Sequence, residues 1–279
     1  MILHFIRIII IIGSLLACMM LPFMPGAYDG LALTLSYMAQ AFGILGLLLV
    51  PIGVIWLIYE VKKQAKIHHF ATATVVVSSF IAVVLSIVAS ANVGYSFGVL
   101  TFALWLYILS ILIPRLKLLK NADRHSFNSL PLYLIMIPIT ILICQLILAA
   151  PATAFSRNQA IANSAELIHD IEQYHKVNGR YPSSLLAVWK DYYPNIMGIE
   201  KFHYAPQRAA YNLFFEQPRF LFNNFGTREF VVYNKLDEQT MISHTSWIML
   251  LSPEQLQTTQ GWYAVHDATK PHWKYFWFD

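Results

Sequence analysis

Acidic side chains are scarce in the first 150 residues of this 279-residue chain, where Asp29, Glu60 and Asp123 are the only ones. None falls inside the apolar stretches of that region, and neither does any lysine or arginine. Ionisable groups within a membrane are costly and mark proton relays, ion paths and substrate sites. Their absence argues against a transporter or an intramembrane enzyme. Cysteine is almost absent too, with Cys18 and Cys144 alone, both in apolar stretches. They read as small hydrophobes, and nothing after residue 150 can form a disulfide, so that part must hold itself by its own core. HExxH, GxSxG, phosphate-loop and CxxC patterns are all missing, which removes the sequence grounds for the corresponding hydrolases, nucleotide enzymes and thiol oxidoreductases. No catalytic residue, metal ligand or cofactor site is expected. No basic stripe marks the polar tail, so nucleic acid is not an expected partner.

What the chain has instead is apolar length. Apolar residues make up 57% of it and charged residues 12%, about half the globular norm of roughly 25% charged. Five apolar stretches run over Ile8–Met24, Leu35–Tyr59, Ala71–Ala91, Phe97–Ile113 and Leu132–Ala150. At about 1.5 Å of rise per residue, about 20 helical residues cross a hydrocarbon core. Lys62, Lys63 and Lys66 follow the second stretch, and Arg115, Lys117, Lys120 and Arg124 follow the fourth. The connections after the first and third (Pro25–Thr34 and Asn92–Ser96) carry no lysine or arginine. Positive charge stays on the cytoplasmic side, so the N-terminus is expected inside and everything after Ala150 outside. The +5 charge of the first 150 residues, eight bases against three acids, then faces anionic lipid headgroups. The expected architecture is a five-span bundle over residues 1–150 and an extracytoplasmic α+β domain over 151–279, in a bacterial inner membrane.

The first stretch has a second reading. Arg7 followed by Ile8–Leu16 has the form of a signal peptide, and Leu15-Leu16-Ala17-Cys18 is similar to a lipoprotein cleavage box. The apolar run continues through Met19, Met20, Leu21 and Phe23, so an uncleaved span is expected. Within the spans Gln40 and Gln145 are the largest polar groups, each able to bond a neighbouring helix. Gly43 and Gly46, and the four-spaced Ala82, Ser86 and Ser90, are small enough for close helix approach, within one bundle or in a homo-oligomer. Pro51 and Pro138 are expected to kink their helices.

The tail opens with a helix over Ala154–Val177, in which Ile161, Ala165, Ile168 and Ile171 recur on one face beside Leu167 and Tyr174. Asn178-Gly179 stops it, because both residues tolerate left-handed backbone, and Tyr181-Pro182 forces an extended step. Ser183 or Ser184 can cap a second short helix to about Asp191. Alternation then takes over: Tyr211, Leu213 and Phe215 oppose Asn212, Phe214 and Glu216, and Phe230 and Val232 oppose Val231 and Tyr233. Phe202 with Tyr204, and Trp273, Tyr275 and Trp277, suggest two further strands. A long helix followed by strands with short turns indicates helix on antiparallel sheet.

Ile168–Leu185, reading IHDIEQYHKVNGRYPSSL, resembles the head of type II secretion major pseudopilins and other type IV pilin-like proteins. Tyr174, Gly179, Tyr181, Pro182 and Leu185 carry the resemblance, followed by the Tyr211 strand. It implies a pilin-like head fold, with Gly179, Tyr181 and Pro182 as the structural turn. It does not extend to filament assembly, since the preceding span has no acidic residue. The calcium-binding loop of those heads has no counterpart either, because Asp267 and Asp279 stand isolated. His169 with His175, and His266, Asp267, His244 and Ser246, have no spacing that selects catalysis or metal binding. Aromatics are dense near the C-terminus, and Trp262, Tyr263, Trp273, Tyr275 and Trp277 form the candidate interaction surface if they are exposed together. The functional expectation is an accessory or interaction protein of the cell envelope, with the lipid bilayer, a membrane protein or a second copy as partner. Its rivals are a membrane-embedded transporter or enzyme, and a ligand sensor signalling through a partner.

Overall fold

The computed structural model describes residues 2–63, 66–119, 127–188, 190–207, 209–224, 228–239 and 263–278. They fall into two compact units. The first comprises Met1–Leu21 with Gly30–Leu148, and the second Pro22–Asp29 with Ala149–Asp279. The described residues are mostly helical, with five helices among them long and apolar enough to cross a membrane, and a separate small antiparallel sheet.

In the first unit, α1 (Ile2–Met20), α4 (Ile67–Val93), α5 (Tyr95–Leu119) and the start of α6 (Leu130–Asn163) each supply one long apolar helix. The second stretch is built in two pieces, α2 (Gly30–Leu45) and α3 (Val50–Val61), joined by a 3-10 turn over Gly46–Leu49. Pro51 explains the joint. It has no N–H to offer the carbonyl of Leu47, and the N–H of Val50 donates there instead. Small residues set the helix spacing. A Cβ on Gly43 would lie 2.6 Å from Ile141, and one on Gly46 would lie 3.0 Å from Pro138. The Ser86 and Ser90 stripe of α4 faces α5 of the same chain, where a Cβ on Gly98 would meet the Ser90 hydroxyl at 1.7 Å.

Polar groups in this unit are joined rather than scattered. The Gln145 amide donates to Gln40 at 3.3 Å, Gln40 donates to the Ser36 hydroxyl at 2.9 Å, and Ser36 donates to the Met19 carbonyl at 2.6 Å. All three side chains are buried, so α1, α2 and α6 share one hydrogen-bonded chain. Glu60, at the end of α3, is enclosed despite its charge. It is 6% exposed and accepts the backbone N–H of Asn128 at 2.7 Å, which ties the end of α3 to the segment before α6.

In the second unit the end of α6 and α7 (Ala165–Asn178) lie on a sheet of β1 (His203–Pro206), β2 (Tyr211–Gln217), β3 (Arg228–Tyr233), β4 (Tyr263–Asp267) and β5 (Trp273–Phe278). Ile161, Leu167 and Ile171 pack into a core with Tyr211, Leu213, Phe215, Val231, Tyr233 and Trp273. The helix expected as one piece is broken at Ser164. Its N–H reaches both Ala160 and Ile161, and its hydroxyl donates to Ile161 at 2.7 Å. That tight turn rotates the buried face, so Leu167 is enclosed and Ala165 is exposed. After α7, Gly179 takes φ +70° and ψ 6° and its N–H closes on His175. Tyr181 stacks on His175 at 4.1 Å and meets Tyr211 edge-on at 5.1 Å, and Pro182 is buried with its carbonyl held by Tyr204 at 2.8 Å. The second short helix is only a 3-10 turn, Leu185–Val188.

Sheet order is β1-β2-β3-β5-β4, every pair antiparallel. The strands are therefore not simply successive: β5 inserts beside β3 and leaves β4 at the edge. The larger surprise is the connection after the first span. The N–H of Gly26 donates to Asn195, Met197 to Met24, Asp29 to Met197 and Gly198 to Pro22, at 2.9–3.0 Å, and Phe23 stacks on Phe220 at 4.7 Å. A Cβ at Gly198 would lie 2.6 Å from the Pro22 carbonyl, so the closeness of the two segments requires glycine there. The division after Ala150 read from the sequence thus lies two residues from the observed one, but it assigns Pro22–Asp29 to the wrong unit.

Two stability changes follow. Phe23→Ala empties a fully enclosed ring site and is expected to cost the head about 3 kcal/mol, read by denaturant unfolding of the full-length protein in detergent. Gly179→Val is expected to cost roughly 1–2 kcal/mol from left-handed backbone alone, because no atom lies within 4 Å of a Cβ there. A cost near zero at either position would contradict the packing or the backbone assignment respectively.

Candidate functional site

Alternation along β5 puts Trp273, Tyr275 and Trp277 on one face of the sheet, the face that receives the helices. Trp273 is 4% exposed and packs on Phe215 and Tyr233 at 6.0 and 5.4 Å. It belongs to the core. Tyr275 is half-buried beneath the guanidinium of Arg157, 3.7 Å from its ring centre, and Trp277 lies beneath that of Arg219 at 4.5 Å. His266 stacks on Tyr275 at 4.8 Å and stands 4.5 Å from Trp277. Tyr263 opens β4, and Trp262 lies outside the described residues. His244 and Ser246 lie outside them as well. The expected surface of jointly exposed rings is therefore corrected. Trp273 is enclosed, and Tyr275 and Trp277 are covered by cations that the aromatic pattern could not reveal.

Those cations converge on one carboxylate. Arg157 donates through Nε and Nη2 to Oε1 of Glu229 at 2.9 and 2.6 Å, and the Trp277 indole donates to Oε2 at 2.7 Å. Arg219 stands 3.7 Å from the same oxygen. Glu229 is 1% exposed, and both guanidinium groups are largely buried. Burial pulls the Arg219 guanidinium below its ordinary value while Glu229 opposes the shift. The cluster joins α6 to β3 and β5 through charge-assisted bonds in a water-poor place. It contains no nucleophile beside a base, so its chemistry is that of a clamp.

An exposed apolar surface of the head lies elsewhere, among Leu185–Ala187 and Lys190–Tyr193. A groove of about 740 Å³ there is lined by Leu185, Leu186, Ala187, Lys190, Asp191, Tyr192 and Tyr193. Leu186 is 84% exposed and Tyr193 58%. The 3-10 turn ends before the chain can bury this run, which leaves the leucine outside. One wall is fixed by charge. Lys190 donates to Glu166 at 2.7 Å and stands 3.2 Å from Asp170, which also accepts the Tyr192 hydroxyl. Burial, and then Asp170, push the Tyr192 hydroxyl up to about 12, and that hydroxyl in turn holds Asp170 below its usual range. At neutral pH the wall is therefore a fixed lysine and a neutral phenol over an apolar floor. Such a lining suits an apolar segment with hydrogen-bonding edges. The sequence signal was present in Leu185-Leu186-Ala187 and Tyr192-Tyr193, apolar pairs in a stretch too short for a helix. Arg157, Arg219 and Glu229 gave no signal, since they meet only when α6 and the segment after β2 pack against β3. No group of three metal-ligating side chains occurs among the described residues.

Glu229→Gln leaves two buried guanidinium groups facing each other without an anion. It is expected to destabilise the head by about 3 kcal/mol in denaturant unfolding, with part recovered by a further Arg157→Met change. A loss under 1 kcal/mol would mean that water screens the cluster.

Compared with protein-family models, curated proteins and solved structures, the chain has no match.

Proposed function

We propose that this chain is a multi-pass protein of a bacterial inner membrane that displays a pilin-like head outside the cytoplasm and works there by binding, as an accessory or interaction protein of the cell envelope. The groove lined by Leu185–Ala187 and Lys190–Tyr193 carries this reading, because it leaves Leu186 and Tyr193 exposed beside Lys190, which is held by Glu166. Leu186 and Tyr193 stand exposed beside Leu185 and Ala187 in one groove, and a grouped apolar surface marks a site of association where a single exposed leucine would not. Orientation is supported by the loop charges, and the packing of Pro22–Asp29 with the tail agrees with a first connection that shares the side of the head. The pilin-like assignment rests on the Gly179-Arg180-Tyr181-Pro182 turn, where the helix stops on a left-handed glycine and Tyr181 turns back onto Tyr211.

A photo-crosslinking amino acid at Leu186 or Tyr193, introduced into the full-length protein in cells, is expected to trap a discrete envelope polypeptide. The same group at Val265, an exposed position on the edge strand, is expected not to. Equal labelling at all three positions, or none at Leu186 and Tyr193, would remove the groove as the binding site. Reporters fused after Asp279 are expected to be active only outside the cytoplasm and those at Lys63 only inside; a cytoplasmic C-terminal signal would overturn the orientation.

A further inference from the structure

A second cavity lies within the membrane unit, at the ends where α1 and α6 both begin. It has a volume of about 400 Å³ and is lined by His4, Arg7, Ile10 and Ile11 of α1 and by Asn128 and Tyr133. Its lining is graded by depth. At about 1.5 Å per residue, Arg7 stands about 6 Å nearer the helix start than Ile11. His4, Arg7 and Asn128 thus gather near the helix starts together with Leu130, the first residue of α6, and Ile10 and Ile11 lie deeper along α1.

We infer that this cleft binds an anionic phospholipid, its phosphate at Arg7 and its first methylenes on Ile10 and Ile11. Arg7 is exposed and has no acidic partner among the described residues. The nearby carboxylate, Glu60, is not part of the lining and is turned to the Asn128 N–H. Neighbouring polar groups are held in place. The Tyr133 hydroxyl lies 3.0 Å from the His4 ring nitrogen and donates to the His4 carbonyl at 3.3 Å, and the Asn128 side-chain oxygen accepts the Leu130 N–H, leaving its amide NH₂ as a donor. An apolar floor is useless to a free phosphate ion and suits a lipid. Ile6, Ile9 and Ile10 on α1 are 47–60% exposed, so the cleft adjoins an apolar surface along which acyl chains can lie. Lys62, Lys63 and Lys66 fall on the same side in the orientation proposed above and would enrich anionic lipid beside the cleft. This inference rests on α1 and α6 crossing the membrane in the same direction, and not on which face is cytoplasmic.

The test uses the full-length protein purified in neutral detergent, with thermal unfolding and native mass spectrometry as readouts. Phosphatidylglycerol is expected to raise the unfolding temperature and to remain bound as an adduct; phosphatidylcholine and inorganic phosphate at equal concentration are not. Arg7→Gln is expected to weaken the phosphatidylglycerol response roughly tenfold, as loss of a charge-assisted phosphate contact should. Ile11→Phe, which fills the floor and keeps the charge, is expected to weaken it as well, while Lys62→Gln with Lys63→Gln leaves it unchanged. An unaltered response in both Arg7→Gln and Ile11→Phe would overturn the site, and stabilisation by inorganic phosphate alone would replace the lipid by a soluble anion. Topology reporters answer the orientation question separately, so a wrong orientation and an absent lipid site give different results.

Discussion

The pairing of Pro22–Asp29 with Asn195–Gly198 is the constraint on which the head depends. Strand-like hydrogen bonds join two segments about 170 residues apart in sequence, and the Phe23 ring on Phe220 closes the contact from one side. A backbone N–H or carbonyl that is buried must find a partner, and here each segment supplies what the other lacks. The head is therefore not a tail appended to the fifth helix. It takes part of its structure from the connection between the first two long apolar helices.

Buried polar groups follow one economy in both units. In the helical unit, Gln145, Gln40, Ser36 and the Met19 carbonyl form a directed chain in which each donor meets an acceptor on another turn or helix. In the head, Glu229 accepts from Arg157 and Trp277 while Arg219 stands close by. In places poor in water such networks cost little when complete and much when one member is removed. They favour one arrangement of helices and strands over near alternatives. The groove has the opposite character. Its charges lie on the rim, its apolar groups face outward, and its shape follows from a 3-10 turn too short to bury Leu186.

How much of this was legible depends on the range of each signal. Spans, helix stops and strand alternation are local patterns, and the five long apolar helices, the end of α7 before Gly179 and the strands at Tyr211 and Trp273 all lie where those patterns run. Face assignment survived only where nothing interrupted the helix. Ser164 turned the buried stripe from Ala165 to Leu167, because a serine hydroxyl bonding back to the preceding turn is indistinguishable in sequence from an exposed one. The C-terminal aromatics show the same limit. Their spacing says that Trp273, Tyr275 and Trp277 share a face, and says nothing about which face or what covers it.

By itself, then, the sequence determined what periodicity and composition can carry: five apolar helices, an α+β tail, a left-handed stop after Asn178 and the uneven placement of positive charge. Only the tertiary structure decided that Pro22–Asp29 joins the head, that β5 inserts beside β3, that Trp273 is core, and that Arg157 and Arg219 meet at Glu229. The physical reason is distance along the chain. A helix stripe or a strand alternation repeats every few residues and is written many times over. A pairing between Gly26 and Asn195, or a carboxylate shared by two arginines, occurs once and depends on shapes that exist only when the rest has folded.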